Sequence, residues 1–277
     1  MNATRALVLG GGGIGGIAWE TGILAALADA GTDWSMIDLV VGTSAGATVA
    51  AQLTSTAPLA DLYRAQSMNS APEEPPIEAD FSGVFAEAGA AQAGALTPAA
   101  GRRMVARLAL RNDRVPEAER RALIERRLPS HEWPSVRLAL ATVAATSGEL
   151  VSFDATSGVS LIDAVAASCA IPFIWPAVTI GDDRYVDGGI RSMTNEDLAE
   201  GYERVLVLEP VAGPASSDVK PLGPPTAALW LRPDSEAAAA LTNPLSSANR
   251  SRAARAGYRQ GEEFAARVRK FWGATSQ

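Results

Sequence analysis

The 277-residue chain has one cysteine, Cys169, and one histidine, His131. A single thiol excludes an internal disulfide and suits a reducing cytoplasm. A small buried apolar residue, rather than a reactive thiol, is the expected state of Cys169. One His and one Cys give no plausible metal cluster, so neither metal nor cofactor is expected. Positive charge is in deficit. Against 31 Asp and Glu stand 24 Lys and Arg, for a net charge of −7. That balance excludes bulk attraction to nucleic acid and argues against a strongly basic membrane-docking surface, while leaving room for a local apolar one. No run approaches the ~18–20 apolar residues of a membrane span. The apolar stretch at residues 6–9 follows Arg5, but Gly10 to Gly13 break it and Glu20 follows, so no signal-peptide core is present.

What is there is an ordinary globular balance, 47% hydrophobic and 20% charged. It is enough for a large core in one α/β domain, or one domain with a subdomain. Residues 5–9 read as a strand, 10–16 as a Gly-rich turn, 17–30 as a helix closed by Gly31, and 37–41 as a second buried strand. Strand, helix, strand is a βαβ unit, so the sheet begins parallel. Helices are expected at 59–70, 102–110 and 117–128, the last two Arg-rich and read as solvated. Residues 71–101, rich in Pro, Glu, Gly and Ala, read as a poorly patterned lid or surface insertion. Further strands are expected at 136–145, 149–153 and 204–208, a short helix at 161–168, and a hairpin of 178–180 with 184–186. An edge strand at 229–231 and a long amphipathic helix at 247–272 complete the chain.

The organising stretch is Gly42-Thr43-Ser44-Ala45-Gly46. This G-x-S-x-G follows a strand and opens an Ala-rich helix, the setting of a nucleophile elbow. Gly42 and Gly46 let strand and helix close on each other, and Ser44 is left at a helix N-terminus that favours a negative oxygen. Upstream, Gly11, Gly13 and Gly16 match G-x-G-x-x-G. As a dinucleotide cradle this lacks the acidic residue at the end of the second strand. As an oxyanion hole, the amides of Gly11, Gly12 and Gly13 would face Ser44. A serine needs a base. His131 lies at a helix end among charged residues and before a strand, a poor position. Asp187, directly after a strand and followed by Gly188-Gly189, is the better candidate; an ordinary Asp-Gly turn is the competing reading.

Together, Gly11 to Gly16, Gly42 to Gly46 and Asp187-Gly188-Gly189, with Ala167-Ser168-Cys169-Ala170-Ile171-Pro172 as lead-in, resemble the motifs of the patatin-like phospholipase family over roughly residues 5–210. The resemblance implies a three-layer α/β/α sandwich with a mainly parallel sheet. It implies a catalytic domain over 1–210 with a helical, lid-like insertion at 59–130, and a C-terminal segment, 211–277, packed on it. It implies a serine acyl hydrolase cleaving lipid carboxylic esters, as a phospholipase A, lysophospholipase or lipase-like enzyme. Ser44 matches the nucleophile, Asp187 the base, and Gly12 and Gly13 with neighbouring amides the oxyanion hole. A lipid ester is the expected partner, reached by transient contact with a membrane from the cytoplasm. Gly15 stands where the family often carries Arg or Lys, and residues 190–195 replace an Asn-Pro run, so head-group preference and one site wall should differ. The alternatives are a nucleotide- or phosphate-binding protein built on the Gly-rich loop, and a catalytically silent relative.

Overall fold

A computed structural model describes residues 4–71, 83, 86, 89–90, 93–110, 115–213, 216–243 and 245–273. Its centre is an eight-stranded sheet in the order β5-β6-β3-β2-β1-β7-β8, with β4 against β3. The strands are β1 (Arg5–Leu9), β2 (Leu39–Thr43), β3 (Arg137–Ala144), β4 (Leu150–Phe153), β5 (Val178–Ile180), β6 (Asp183–Asp187), β7 (Arg204–Leu208) and β8 (Ala227–Leu231). Pairs from β3 through β2, β1 and β7 to β8 are parallel; β4, β5 and β6 run antiparallel. The central strands are apolar on both faces. Leu7, Leu9, Val40, Leu206 and Leu208 join one core, whereas Ala6, Val8, Val41, Val205 and Val207 join another. Side chains that alternate between two cores are what a sheet covered on both sides requires.

The covering layers are unequal. On the first face pack α1 (Gly13–Asp29), α2 (Ala45–Leu53), α6 (Leu161–Ser168) and α8 (Arg250–Gly273), with α3 (Leu59–Ser67), α5 (Glu117–Arg127) and α7 (Ser235–Ala240) around them. Helices α1 and α8 touch backbone to backbone: a Cβ on Gly257 would sit 2.2 Å from the Trp19 carbonyl. The indole of Trp19 donates to Gln260 Oε1 at 2.8 Å across the same seam. The second face carries α4 (Pro98–Ala109) over the β3–β6 end. Elsewhere it carries the short 3-10 helix Glu196–Ala199, with Tyr202, Leu222 and Trp230. The fold is therefore the expected α/β sandwich, with a thinner second layer. Residues 211–277 supply β8 to the same sheet and α8 to the same core.

One expectation is corrected. The Arg-rich helices α4 and α5 are not simply solvated, because Arg102, Arg120 and Arg127 are buried. Arg102 forms a bidentate pair with Asp218 at 2.9 and 2.8 Å, and its Nε donates to the Gly148 carbonyl at 2.7 Å. Arg120 lies 3.8 Å above the centre of the Trp175 ring. Much of the 71–101 stretch lies outside the described residues.

Candidate active site

The register of β3 brings the site together. The pairing of β2 with β3 ends at Thr43 opposite Ala141. That of β6 with β3 begins at Asp187 opposite Thr142. Strand β4 also pairs with residues 140–143 of β3, which leaves only the β2 side for β6. Strands β2 and β6 thus meet head to head along one edge, and the residue after Thr43 faces the last residue of β6.

That residue is Ser44, at φ 55 and ψ −113, in the N-cap position of α2. A non-glycine residue at positive φ costs of order 1–3 kcal/mol, so the surrounding structure must hold it there. Four contacts do so. The Ser44 N–H donates to Ser168 Oγ at 2.9 Å, and the Ser168 hydroxyl donates to the Ala141 carbonyl at 2.8 Å. The Cys169 thiol donates to the Ser44 carbonyl at 3.1 Å. Gly46 N–H donates to the Gly10 carbonyl at 3.0 Å. Gly46 must be glycine, since a Cβ there would lie 2.0 Å from Leu9 O. Gly42 is likewise closed against Ala47.

The Ser44 hydroxyl neighbours the carboxylate of Asp187. Asp187 is 4% exposed. Burial lifts its pKa to about 6, against the pull of the Ser44 hydroxyl, the Gly189 N–H and the positive field of Arg120. Gly189 N–H reaches Oδ1 at 2.7 Å. Gly188 lets β6 run close to β3, for a Cβ on it would sit 2.5 Å from the Ala141 carbonyl. Gly15 brings no charge to this site; Arg120 brings one from α5.

The Gly-rich loop lies alongside, with the Cβ position of Gly11 only 3.6 Å from Ser44 Cβ. Its amides are unequal. Gly10 N–H is shared between Leu208 O at 3.0 Å and Glu20 Oε1 at 2.8 Å. Gly11 N–H donates to Met193 O at 2.7 Å. The Gly11 amide, expected in an oxyanion hole, is thus engaged with the Met193 carbonyl in this structure. Gly12 and Gly13, the latter at φ 58, remain, and their amides have no partner among the described residues. Gly16 packs its Cα side toward Ala45 at the start of α2. A nucleotide cradle fits poorly, because Gly10 and Gly11 are spent and the elbow fills the adjacent space.

Several residues of the site carried no signal in sequence. Met193 forms the wall left open by residues 190–195. Its methyl is 2.8 Å from the Cβ position of Gly11, and its sulfur 3.5 Å from that of Gly189. Asn195, at φ 47 and fully buried, ties this wall to the elbow by donating to Thr43 Oγ1 at 3.1 Å and to Ser192 O at 2.7 Å. Arg191 pairs with Asp197 and Asn195 behind it. Glu20 is fully buried under the Gly-rich loop; burial pushes its pKa well above the usual carboxylate range, and its Oε2 has no partner. Met193 and Glu20 are hidden in sequence because each acts through a backbone atom, and Asn195 because Thr43 lies 152 positions away.

The remaining expectations resolve simply. Cys169 is buried, with burial raising its pKa to about 11, as suits an unreactive thiol. His131 lies half-exposed beside Glu125, its Nε2 3.2 Å from the Glu125 carbonyl. In the loop toward Asp187, Ile174 and Trp175 are core residues and Phe173 takes a φ of 68. A cleft of ≈ 280 Å³ opens beside Trp175 and Arg120, lined also by Val115, Glu119 and Leu123, but neither Ser44 nor Asp187 lines it. No group of three or more His, Cys, Asp or Glu suited to a metal occurs among the described residues.

A strained serine, an adjoining carboxylate and a Gly-rich loop thus meet at one end of a parallel-centred sheet. The chain belongs to the patatin-like phospholipase family, whose model matches residues 7–200. That family is one of lipid acyl hydrolases. Among solved structures, the chain resembles VipD from Legionella pneumophila at 13% identity and a TM-score of 0.44, over 96% of this chain and 67% of that one. No curated protein sequence matches it.

Proposed function

We propose that this protein is a serine acyl hydrolase of lipid carboxylic esters, working through a Ser44–Asp187 dyad. The observation that supports this reading is the Ser44 hydroxyl, at a strained helix N-cap, beside the buried carboxylate of Asp187. Asp187 takes the Ser44 proton as Oγ attacks the ester carbonyl. The Gly12 and Gly13 amides and the N-terminus of α2 stabilise the oxyanion. Asp187 then returns the proton to the departing alcohol. In the second half, Asp187 deprotonates a water that attacks the acyl-enzyme, and the proton passes to Ser44 as it leaves. The substrate is a lipid ester of the phospholipase A, lysophospholipase or lipase type. The single buried thiol suits a reducing, cytoplasmic setting.

The test is intact-mass spectrometry after exposure to a long-chain alkyl fluorophosphonate. One adduct is expected on the wild type, none on Ser44→Ala, and strongly slowed formation on Asp187→Asn. An adduct that persists in Ser44→Ala, or none on the wild type, overturns the mechanism.

A further inference from the structure

The outer face of α4 differs from the rest of the surface. Arg103, Met104, Arg107 and Leu110 are exposed, with Leu108 half-buried between them. Spacings of three and four residues place them on one side of the helix and its last turn. Leu96, one residue before the N-cap Thr97, is 99% exposed; Met104 is 47% and Leu110 37% exposed. Among the described residues the exposed large hydrophobics are these three and Met68. Three of the four thus gather on one helix and its approach, where a dispersed pattern would need no explanation. Arg103 and Arg107 hold no ion pair among the described residues.

The inner face is fixed. Ala106 and Ala109 pack with Val143, Ala145, Ala177 and Val186, and Val186 is the residue before Asp187. Arg102 is anchored to Asp218, whose carboxyl that guanidinium holds at about 2. The same loop returns to the site wall, since Ser216 N–H donates to the Arg191 carbonyl at 2.8 Å. The apolar and basic stripe is therefore presented on a helix packed against the end of the sheet that carries Asp187.

We propose that the outer face of α4, with Leu96, is the surface by which this protein docks on an anionic lipid bilayer. The proposal rests on the lipid-hydrolase reading for its choice of partner. Charge complementarity selects that partner. Two guanidiniums with no ion pair among the described residues suit phosphate oxygens, while Leu96, Met104 and Leu110 enter the acyl boundary. The net charge of −7 repels the rest of the molecule from such a surface, so the approach is oriented. No described helix is long and apolar enough to cross a membrane, so this contact lies on the surface.

The experiment is co-sedimentation of the full chain with vesicles of phosphatidylcholine alone, or mixed with phosphatidylglycerol. It compares wild type with Arg103→Glu/Arg107→Glu and with Met104→Glu. Turnover of a soluble short-chain ester reports the fold and the dyad. Wild type should partition onto the phosphatidylglycerol vesicles. The double reversal should lower that partition by about tenfold or more, and Met104→Glu by several-fold. Soluble-ester turnover should stay within about twofold in both. Wild type that ignores both vesicles, or variants that sediment as wild type does, overturns the docking surface. So does concentration-dependent self-association abolished by Met104→Glu, which would assign the face to a second copy. Vesicle binding without labelling at Ser44 would sink the catalytic reading and leave this one standing.

Discussion

Thr43 and Asp187 face consecutive residues of one strand, Ala141 and Thr142 of β3. Ser44 and Asp187 are therefore spaced by β-sheet hydrogen bonding rather than by a loop. In the proposed dyad, a base held this way needs no further closure to reach Ser44, and altering Ser44, Asp187 or their supports has direct consequences.

The first concerns pH. Asp187 acts as a base only when ionised, and burial sets its pKa to about 6. For a soluble ester, kcat/KM should rise tenfold per pH unit below that value and level off above it. A profile flat from pH 5 to 8 would remove Asp187 from the role. In Ser44→Ala, turnover should fall by about 10³-fold or more across the same range.

The second concerns stability, and its sign is the reverse of the usual carboxylate case. Asp187 is shifted up from 3.8 to about 6, so the folded state holds its proton more tightly than the unfolded state. Its contribution favours folding below pH 3.8 and is lost as pH rises through 6. Asp187→Asn should therefore be inactive yet more stable than wild type at pH 8, by up to about 3 kcal/mol. The gain should shrink toward pH 4. Chemical denaturation at both pH values measures it.

A third follows from Ser168. Removing its hydroxyl leaves the Ser44 N–H buried without an acceptor. Ser168→Ala should cost about 1–3 kcal/mol of stability and slow fluorophosphonate labelling. Equal labelling rates in variant and wild type would show that the elbow holds itself.

Glu20 gives a fourth. Its Oε1 accepts from Gly10 N–H beneath the oxyanion loop, while burial favours its neutral form. Glu20→Gln keeps the acceptor and should keep kcat within about threefold. Glu20→Leu removes it. Gly10 retains Leu208 O, so the stability loss should be near 1 kcal/mol, with the larger effect on kcat rather than KM. A Glu20→Leu variant with normal kcat would contradict a positioning role.

Much of this was legible in the sequence. Gly46 and Gly188 mark places where one backbone passes too close to another for a Cβ, and such places leave a fixed letter in the chain. Short continuous apolar runs in β1, β2 and β7 announced buried strands. The missing part was of a different kind. Met193 works through its carbonyl, which any residue has. Arg102 looked solvated because its partner, Asp218, lies 116 positions away in a Pro- and Ser-rich stretch. Gly11 looked like an oxyanion donor because a glycine does not say where its N–H is spent. Pairings of that sort are written in three dimensions only.

Because β3 serves as a ruler for both dyad partners, the chain between α2 and β3 does not set their separation. Changes within residues 54–136 that keep α4 and α5 packed against the sheet should leave Ser44 in place against Asp187. A scaffold of this kind separates where the chemistry happens from what is admitted to it, and allows the second to be rebuilt while the first is left alone.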